Sequence, residues 1–144
     1  MPEMLPISDV HLFPLTVSAG RWKLLSEEDH LLRRFGQLEL LDLDASQETD
    51  FELRAEADRF LFAINGRARA QLLDLRTSSP SLGERVNISL DTENAQGLLL
   101  PFGVACALYA ETDSRLIVLS THSQSHPEDR LATPDELQKY SVVQ

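Results

Sequence analysis

Apolar and polar residues alternate along most of this chain in short runs, broken at intervals by turn residues. Residues 51–55, Phe51-Glu52-Leu53-Arg54-Ala55, alternate apolar and charged, the pattern of a half-buried strand. Residues 59–65, RFLFAIN, predict a second strand, stopped by Asn65-Gly66, a strong two-residue hairpin signal. Residues 67–75 return as a third, which would carry Arg67, Arg69 and Gln71 on one face. Residues 84–90 alternate again, and 115–121, RLIVLST, read as a buried strand. Between them lies 97–109, GLLLPFGVACALY. Its two apolar runs are too short and too apolar for a solvated helix, and they flank Pro101 and Gly103, which suit a tight turn. They are expected as two buried strands meeting at a corner, a core hairpin.

The N-terminal third is less regular. Residues 1–20 predict an extended arm over 1–9 and a β-rich stretch over 10–18, which Pro14 restricts to an edge or exchanged strand. A short strand over 21–25 carries the only tryptophan, Trp22. Residues 26–33 read equally as one capped helical turn or a solvated connector. Residues 37–44 form a strand in which Leu38, Leu40 and Leu43 do not share one parity, so a bulge or burial on both faces is expected. Residues 122–130 form a polar loop. Thr133-Pro134-Asp135-Glu136 supplies a cap, a first-turn proline and acids, predicting a short helix within 132–141. Roughly nine or ten short strands at about 8–12-residue spacing, with one terminal helix, argue for an all-β sandwich or barrel. One domain over 1–144 is expected.

Composition narrows the function classes. The chain has 144 residues, 42% hydrophobic and 25% charged, with a formal net charge of −10. That charge excludes nucleic acid and an anionic membrane as partners, since both need a basic surface. An anionic ligand would need a local cluster of arginines. The single cysteine, Cys106, allows no intrachain disulfide and points to a reducing compartment. No apolar run reaches the roughly 18 residues of a membrane helix, and MPEMLPISDV lacks the features of a signal peptide. The cytoplasm is the expected location.

The chemistry-bearing residues are sparse. No phosphate loop, dinucleotide fingerprint or G-x-S-x-G motif is present. His122 and His126 stand four apart in a polar loop, and His11 and His30 are isolated, so neither a metal nor another cofactor is expected. Cys106, within VACAL, reads as a small packed core residue. Arg54, Arg59, Arg67, Arg69 and Arg76 concentrate guanidinium in an acidic chain. They suit a phosphate-bearing ligand, or ion pairs with Glu52, Glu56, Asp58 and Asp74. Phe51, Phe60, Phe62 and Tyr109 are aromatic candidates for stacking or for the core.

From Asp58 onward the order of motifs resembles the dTDP-4-dehydrorhamnose 3,5-epimerase family and its sugar-nucleotide cupin relatives. Asp58-Arg59-Phe60-Leu61 leading to Asn65-Gly66-Arg67 is similar to the family's strand ending in a glycine turn. Leu73-Asp74-Leu75-Arg76 with Ser79-Pro80-Ser81 and Gly83 is similar to its D-L-R-x-x-S-P-T-x-G signature. Leu100-Pro101-Phe102-Gly103-Val104-Ala105 is similar to I-P-x-G-x-A-H-G-F, and Pro127-Glu128-Asp129-Arg130 follows the last barrel strand. The resemblance implies a double-stranded β-helix (cupin jelly roll), a nucleotide sugar as ligand, and a homodimer made by exchanging an N-terminal strand, here 10–18.

It also implies proton transfer next to a ketone by a histidine base and a tyrosine acid. Counting places Phe51 and Leu53 where the imidazoles would be. It places Leu119 nearest the tyrosine, and Cys106 and Ala107 at the histidine and glycine of A-H-G-F. The expected function is therefore a sugar-nucleotide epimerase-like cupin without its proton-transfer groups. It would bind a nucleotide sugar or carbohydrate through Arg54, Arg59, Arg69 and Tyr109 without turnover. Two other readings stand beside it: an active epimerase using Glu52, Glu56, Asp58 or Tyr109, and a structural dimer with a filled barrel.

Overall fold

The computed structural model describes residues 5–24 and 32–140. The helical turn expected over 26–33 falls largely outside them, as does His30. Twelve strands and one helix follow in chain order. They are β1 (His11–Pro14), β2 (Thr16–Ser18), β3 (Arg21–Lys23), β4 (Gln37–Leu43), β5 (Glu52–Leu53), β6 (Arg59–Asn65) and β7 (Arg67–Asp74). After these come β8 (Arg85–Asp91), β9 (Gln96–Leu100), β10 (Val104–Ala110), β11 (Ser114–Ser120), β12 (Arg130–Leu131) and α1 (Pro134–Lys139). The alternating stretches of the sequence are the strands. The one strand missed is β12, a two-residue pairing at the end of the polar loop.

Two five-stranded antiparallel sheets face each other. One runs β1-β9-β6-β11-β4 and the other β12-β5-β10-β7-β8, while β2 and β3 form a separate hairpin. Leu61, Leu98 and Leu116 from the first sheet meet Ala68, Leu72 and Leu108 from the second in the shared core. The outer face of the second sheet is covered too. There Leu53, Leu73 and Ala105 pack beneath Leu137 and Tyr140 of the C-terminal segment. Helix α1 starts at a capping box: Thr133 Oγ1 accepts from the Glu136 N–H, and the Glu136 carboxylate accepts from the Thr133 N–H. Among the described residues no helix is long and apolar enough to cross a membrane.

Two turns differ from expectation. Asn65-Gly66 does not close a hairpin, because β6 and β7 belong to opposite sheets. Gly66 sits at φ +78°, and a Cβ there would strike the Asp113 carbonyl. The left-handed residue that a hairpin would use here carries the chain across the barrel rim instead. The Pro101–Gly103 turn does the same between β9 and β10, so the expected corner is present but its flanking strands are not paired with each other.

The described part of the N-terminal arm, from Leu5 onward, is docked on the body of the fold. Ile7 and Val10 are each 1% exposed, and β1 lies at a sheet edge beside β9, where Pro14 is tolerated. Strand β4 has no bulge: its register to β11 is unbroken. Leu41 and Leu43 point inward, and the opposite parity leaves Leu38 and Leu40 exposed.

A buried carboxylate ties these parts together. Asp74 is fully buried. It accepts from Arg76 Nε at 2.9 Å, Ser79 Oγ at 2.7 Å and Ser81 Oγ at 2.6 Å. Arg76 Nη2 also donates to the Ser8 carbonyl at 2.6 Å, and the Ser8 N–H donates to Ser81 Oγ at 2.9 Å. Burial alone would raise the pKa of Asp74, but hydrogen bonds from Arg76, Ser81 and Ser79 hold it down at about 2. Its contribution to stability is thus present above the ordinary aspartate value of about 3.9 and lost as pH falls toward the folded value. Asp74→Asn is expected to cost about 3 kcal/mol in urea unfolding near neutral pH, because it removes the buried charge partner of Arg76 and leaves only the exposed Asp9 to pair with it. The gap between the two proteins should shrink as pH drops from about 4 toward 2; a gap that stays constant would show that the carboxylate charge is not the source.

Candidate functional site

Strand parity decides what faces the space between the sheets. On β6, Arg59 and Leu61 point inward, while Phe60 and Phe62 pack on the outer face with Leu119. On β11 the inward residues are Val118 and Ser120. On β10 they are Cys106 and Leu108, and on β5 Glu52. Together with Glu39, Leu41, Thr49, Asp50, Arg54 and Leu131 these residues enclose a cavity of about 310 Å³. A shallower depression of about 250 Å³ adjoins it, lined by Glu52, Arg54, Ser125, Asp129, Arg130 and Leu131. The barrel is therefore not filled at this end.

Arg59 is the inner cation. It is 7% exposed. Its Nη1 lies 3.6 Å from Glu52 Oε1, and its Nη2 makes long hydrogen bonds to the carbonyls of Glu52 (3.3 Å) and Val104 (3.4 Å). Its Nε is buried and has no hydrogen-bond partner among the described residues. A buried N–H of this kind carries a desolvation cost that a ligand acceptor would relieve. Burial lowers the guanidinium pKa; the neighbouring Cys106 and Glu52 work the other way. Glu52, by contrast, keeps 54% of its side chain exposed at the cavity wall.

Arg54 is held by the Pro127-Glu128-Asp129-Arg130 segment. Its Nε donates to Asp129 Oδ2 at 3.1 Å. Asp129 also accepts from the backbone N–H of Ala55 at 2.7 Å and of His126 at 2.9 Å. Burial opposes its charge, yet these N–H groups and Arg54 keep its pKa below the ordinary value. Arg130 turns away to make two hydrogen bonds to Glu136, at 2.7 and 2.9 Å.

Of the four binding residues expected from sequence, the structure brings Arg54 and Arg59 together at the cavity. Arg69 and Tyr109 are cross-strand neighbours on the outer face of the second sheet, with the Arg69 guanidinium 5.0 Å over the Tyr109 ring. Their parity is opposite to Ala68 and Ala70, the small residues that face the core. Phe51 and Leu53, placed by counting where imidazoles would stand, also point outward, beneath the C-terminal segment. The inward residue of that strand is Glu52. Leu119 likewise points outward, and its neighbours Val118 and Ser120 line the cavity.

Glu56 and Asp58, the other acid–base candidates, do not line the cavity. Glu56 Oε1 lies 3.0 Å from His122 Nε2. Asp58 pairs with Arg33 at 3.2 Å and accepts from the Phe102 N–H. Among the described residues no group of three or more His, Cys, Asp or Glu side chains is placed to hold a metal. Sequence reasoning missed Glu39 and Asp50 as lining residues. The signal for Glu39 was its shared parity with Leu41 and Leu43.

The sequence pattern of the family described as dTDP-4-dehydrorhamnose 3,5-epimerase matches residues 51–136. No match was found among curated proteins. Solved structures align over nearly the whole chain. The dTDP-4-dehydrorhamnose 3,5-epimerase of Elizabethkingia anophelis is 15% identical, with 94% of this chain and 81% of that chain covered and a TM-score of 0.84. The enzyme of the same name from Sulfolobus tokodaii is 22% identical, covering 94% and 83%, at 0.81. A 3'-monoepimerase from Streptomyces bikiniensis, solved with dTDP-quinovose, is 14% identical, covering 96% and 76%, at 0.84. The two facing sheets are thus the double-stranded β-helix of the cupin fold.

Cys106 gives a direct check on the cavity wall. Burial pushes its thiol up to about 11, so only a small fraction is thiolate at neutral pH. Alkylation by iodoacetamide near neutral pH should be at least tenfold slower in the native protein than in urea. Equal rates would mean that the thiol is more accessible than the packed strand β10 allows.

Proposed function

This chain belongs to the dTDP-4-dehydrorhamnose 3,5-epimerase family, and we propose that it binds a nucleotide sugar or carbohydrate in the barrel cavity without the family's histidine–tyrosine proton transfer. The observation that carries this reading is the character of the walls. A buried arginine with an unpartnered Nε faces a cavity whose inward strand positions are Glu52, Cys106, Leu108, Val118 and Ser120. Leucine, valine and serine side chains do not exchange protons near neutral pH. The same walls suit a sugar. Arg59 donates to a ring-substituent oxygen, the Glu52 carboxylate accepts from a hydroxyl, and the aliphatic residues meet the C–H face. Arg54 is oriented in advance by Asp129, which lowers the entropy lost on binding.

A second reading rests on the 3.6 Å separation of Arg59 and Glu52. A carboxylate beside a fixed cation is an arrangement that removes a proton next to a ketone. The C–H proton would pass to Glu52, the electron pair would move to the carbonyl oxygen, and Arg59 would stabilise the resulting enolate. Return of a proton to the other face of the carbon would complete an epimerisation.

For the assembled state we propose a homodimer. Leu38 and Leu40 are 57% and 52% exposed on the outer face of the first sheet, and Leu38 shares an outer depression with Trp22. Such a cluster of large apolar side chains favours cover by a second copy. A monomeric mass in sedimentation equilibrium would remove this proposal. The single buried thiol also suits the reducing cytoplasm.

Calorimetric titration with free hexoses and dTDP-sugars tests the binding reading, because a ligand specific for the native state also raises the melting midpoint. Arg59→Ala should weaken binding at least tenfold, the loss of a buried charged donor. Binding that is unchanged in this variant would place the site elsewhere. Solvent deuterium appearing at a carbon of a 4-keto sugar in the wild type, and lost in Glu52→Gln, would favour the proton-transfer reading.

A further inference from the structure

The two histidines of the polar loop fasten it to the segment that follows β5. At one end, His122 Nε2 lies 3.0 Å from Glu56 Oε1, and its Nδ1 lies 2.8 Å from Thr121 Oγ1. A carboxylate accepts from Nε2–H in either charge state of the ring, and a hydroxyl both donates and accepts. Both contacts therefore survive a change in the charge of His122. At the other end the partner is less forgiving. His126 Nδ1 accepts from the Glu128 backbone N–H at 3.1 Å, and an N–H is a donor only. The same turn is held by the His126 N–H, which donates to Asp129 Oδ2 at 2.9 Å, and by the Asp129 N–H, which donates to the His126 carbonyl at 2.9 Å. Asp129 Oδ2 is also the acceptor of Arg54 Nε at 3.1 Å, and its Oδ1 accepts from the Ala55 N–H at 2.7 Å.

We propose that this turn is a pH-sensitive latch on Arg54: a proton at His126 Nδ1 opens the turn, loosens Asp129 from Arg54 and weakens ligand binding in the cavity. The last step rests on the binding reading above. Protonation converts Nδ1 from an acceptor into a donor that faces the Glu128 N–H, so the ring leaves that position. The charged groups facing it are Asp129 and Glu128 from its own turn and, through Asp129, Arg54 from the segment after β5. An imidazolium is drawn to both carboxylates and competes with Arg54 for Asp129. Among the described residues Arg54 has no other carboxylate within ion-pair distance. Burial opposes the charge of Asp129, but the N–H groups and Arg54 keep its pKa below the ordinary value, so it stays ionised while a histidine titrates. Arg54 lines both the cavity and the adjoining depression, so its loosening reaches both.

The test has a ligand-free and a ligand-bound arm, both on the whole chain between about pH 7.5 and about pH 5.5. Without ligand, nitrogen-15 NMR follows the Arg54 Nε–H and the amides of Ala55 and Glu128 beside the His126 ring. All are expected to shift with the midpoint of the ring. With dTDP-glucose as probe, whose diphosphate diester does not titrate in this range, calorimetry should show affinity falling roughly threefold or more across it. In His126→Asn the side-chain Oδ1 takes the place of Nδ1 as acceptor and carries no proton to titrate. That variant should bind like the wild type at the upper pH and keep its affinity at the lower one. Loop signals that ignore the His126 midpoint overturn the latch, and they decide alone if the variant does not fold. An affinity that is flat or rises in acid, or a slope that persists in His126→Asn, overturns it while the binding reading survives. If the loop signals follow His126 but dTDP-glucose and free hexoses do not bind at any pH, the latch on Arg54 stands and the binding reading fails.

Discussion

The buried Asp74 carboxylate is the interaction on which the remaining geometry depends. Through Arg76, Ser79 and Ser81 it closes the loop that follows β7, and through Ser8 it fastens the N-terminal arm to that loop. Its reach extends further. The Arg76 side chain packs over Gly103, where a Cβ would collide with its Cγ. The Gly103 carbonyl accepts from the Leu75 N–H, and the Gly103 N–H donates to the Arg54 carbonyl. One buried charge that does not itself line the cavity thus fixes the corner between the sheets and the backbone of a cavity arginine. The D-L-R-x-x-S-P stretch is in this light an architectural signature. Its polar residues satisfy one another and leave none for chemistry.

Much of the fold was legible in the residues. The alternating runs became strands close to their expected ends, and Thr133-Pro134-Asp135-Glu136 opened a helix where capping chemistry required one. Turns were read less well. Asn65-Gly66 supplies the left-handed backbone that a hairpin needs, but a barrel corner needs it as well, and only the long-range pairing of β6 with β9 and β11 separates the two. Local sequence carries no record of that pairing.

The cavity was half legible for a related reason. Counting from motifs located strand β5 but not its facing. Leu53 looks like an inward residue until the C-terminal segment is seen to bury it from outside. When both faces of a sheet are covered, hydrophobicity no longer tells inside from outside, and Glu52 emerges as the inward group only through its pairing opposite Cys106. The same ambiguity sent Arg69 and Tyr109 to the outer surface. There they form a cation–π contact and take no part in the enclosed space. Arg54 and Arg59 were found because arginines concentrate in an otherwise acidic chain and because the family resemblance places both on barrel strands. The wall this family member presents is then largely aliphatic, with Arg59 buried in it and Glu52 beside it, on a scaffold shared with enzymes of very different sequence.

The corners at Gly66 and Gly103 also govern how such a chain is built in time. Because most consecutive strands go to opposite sheets, with β2–β3 and β7–β8 the directly paired exceptions, most pairings join distant segments: β1 to β9, β4 to β11, β5 to β12. The second sheet is complete only when Leu131 is available, and the first only when Ser120 is. A chain emerging from a ribosome therefore holds unpaired strand edges until nearly all of it has been made. Loop-closure entropy must be met before any long-range contact forms, which puts folding in the slow, millisecond-to-second range of β topologies. During that interval the leucine-rich edge of β4 is bare, so nascent copies have reason to meet each other, or a chaperone, before the barrel has closed.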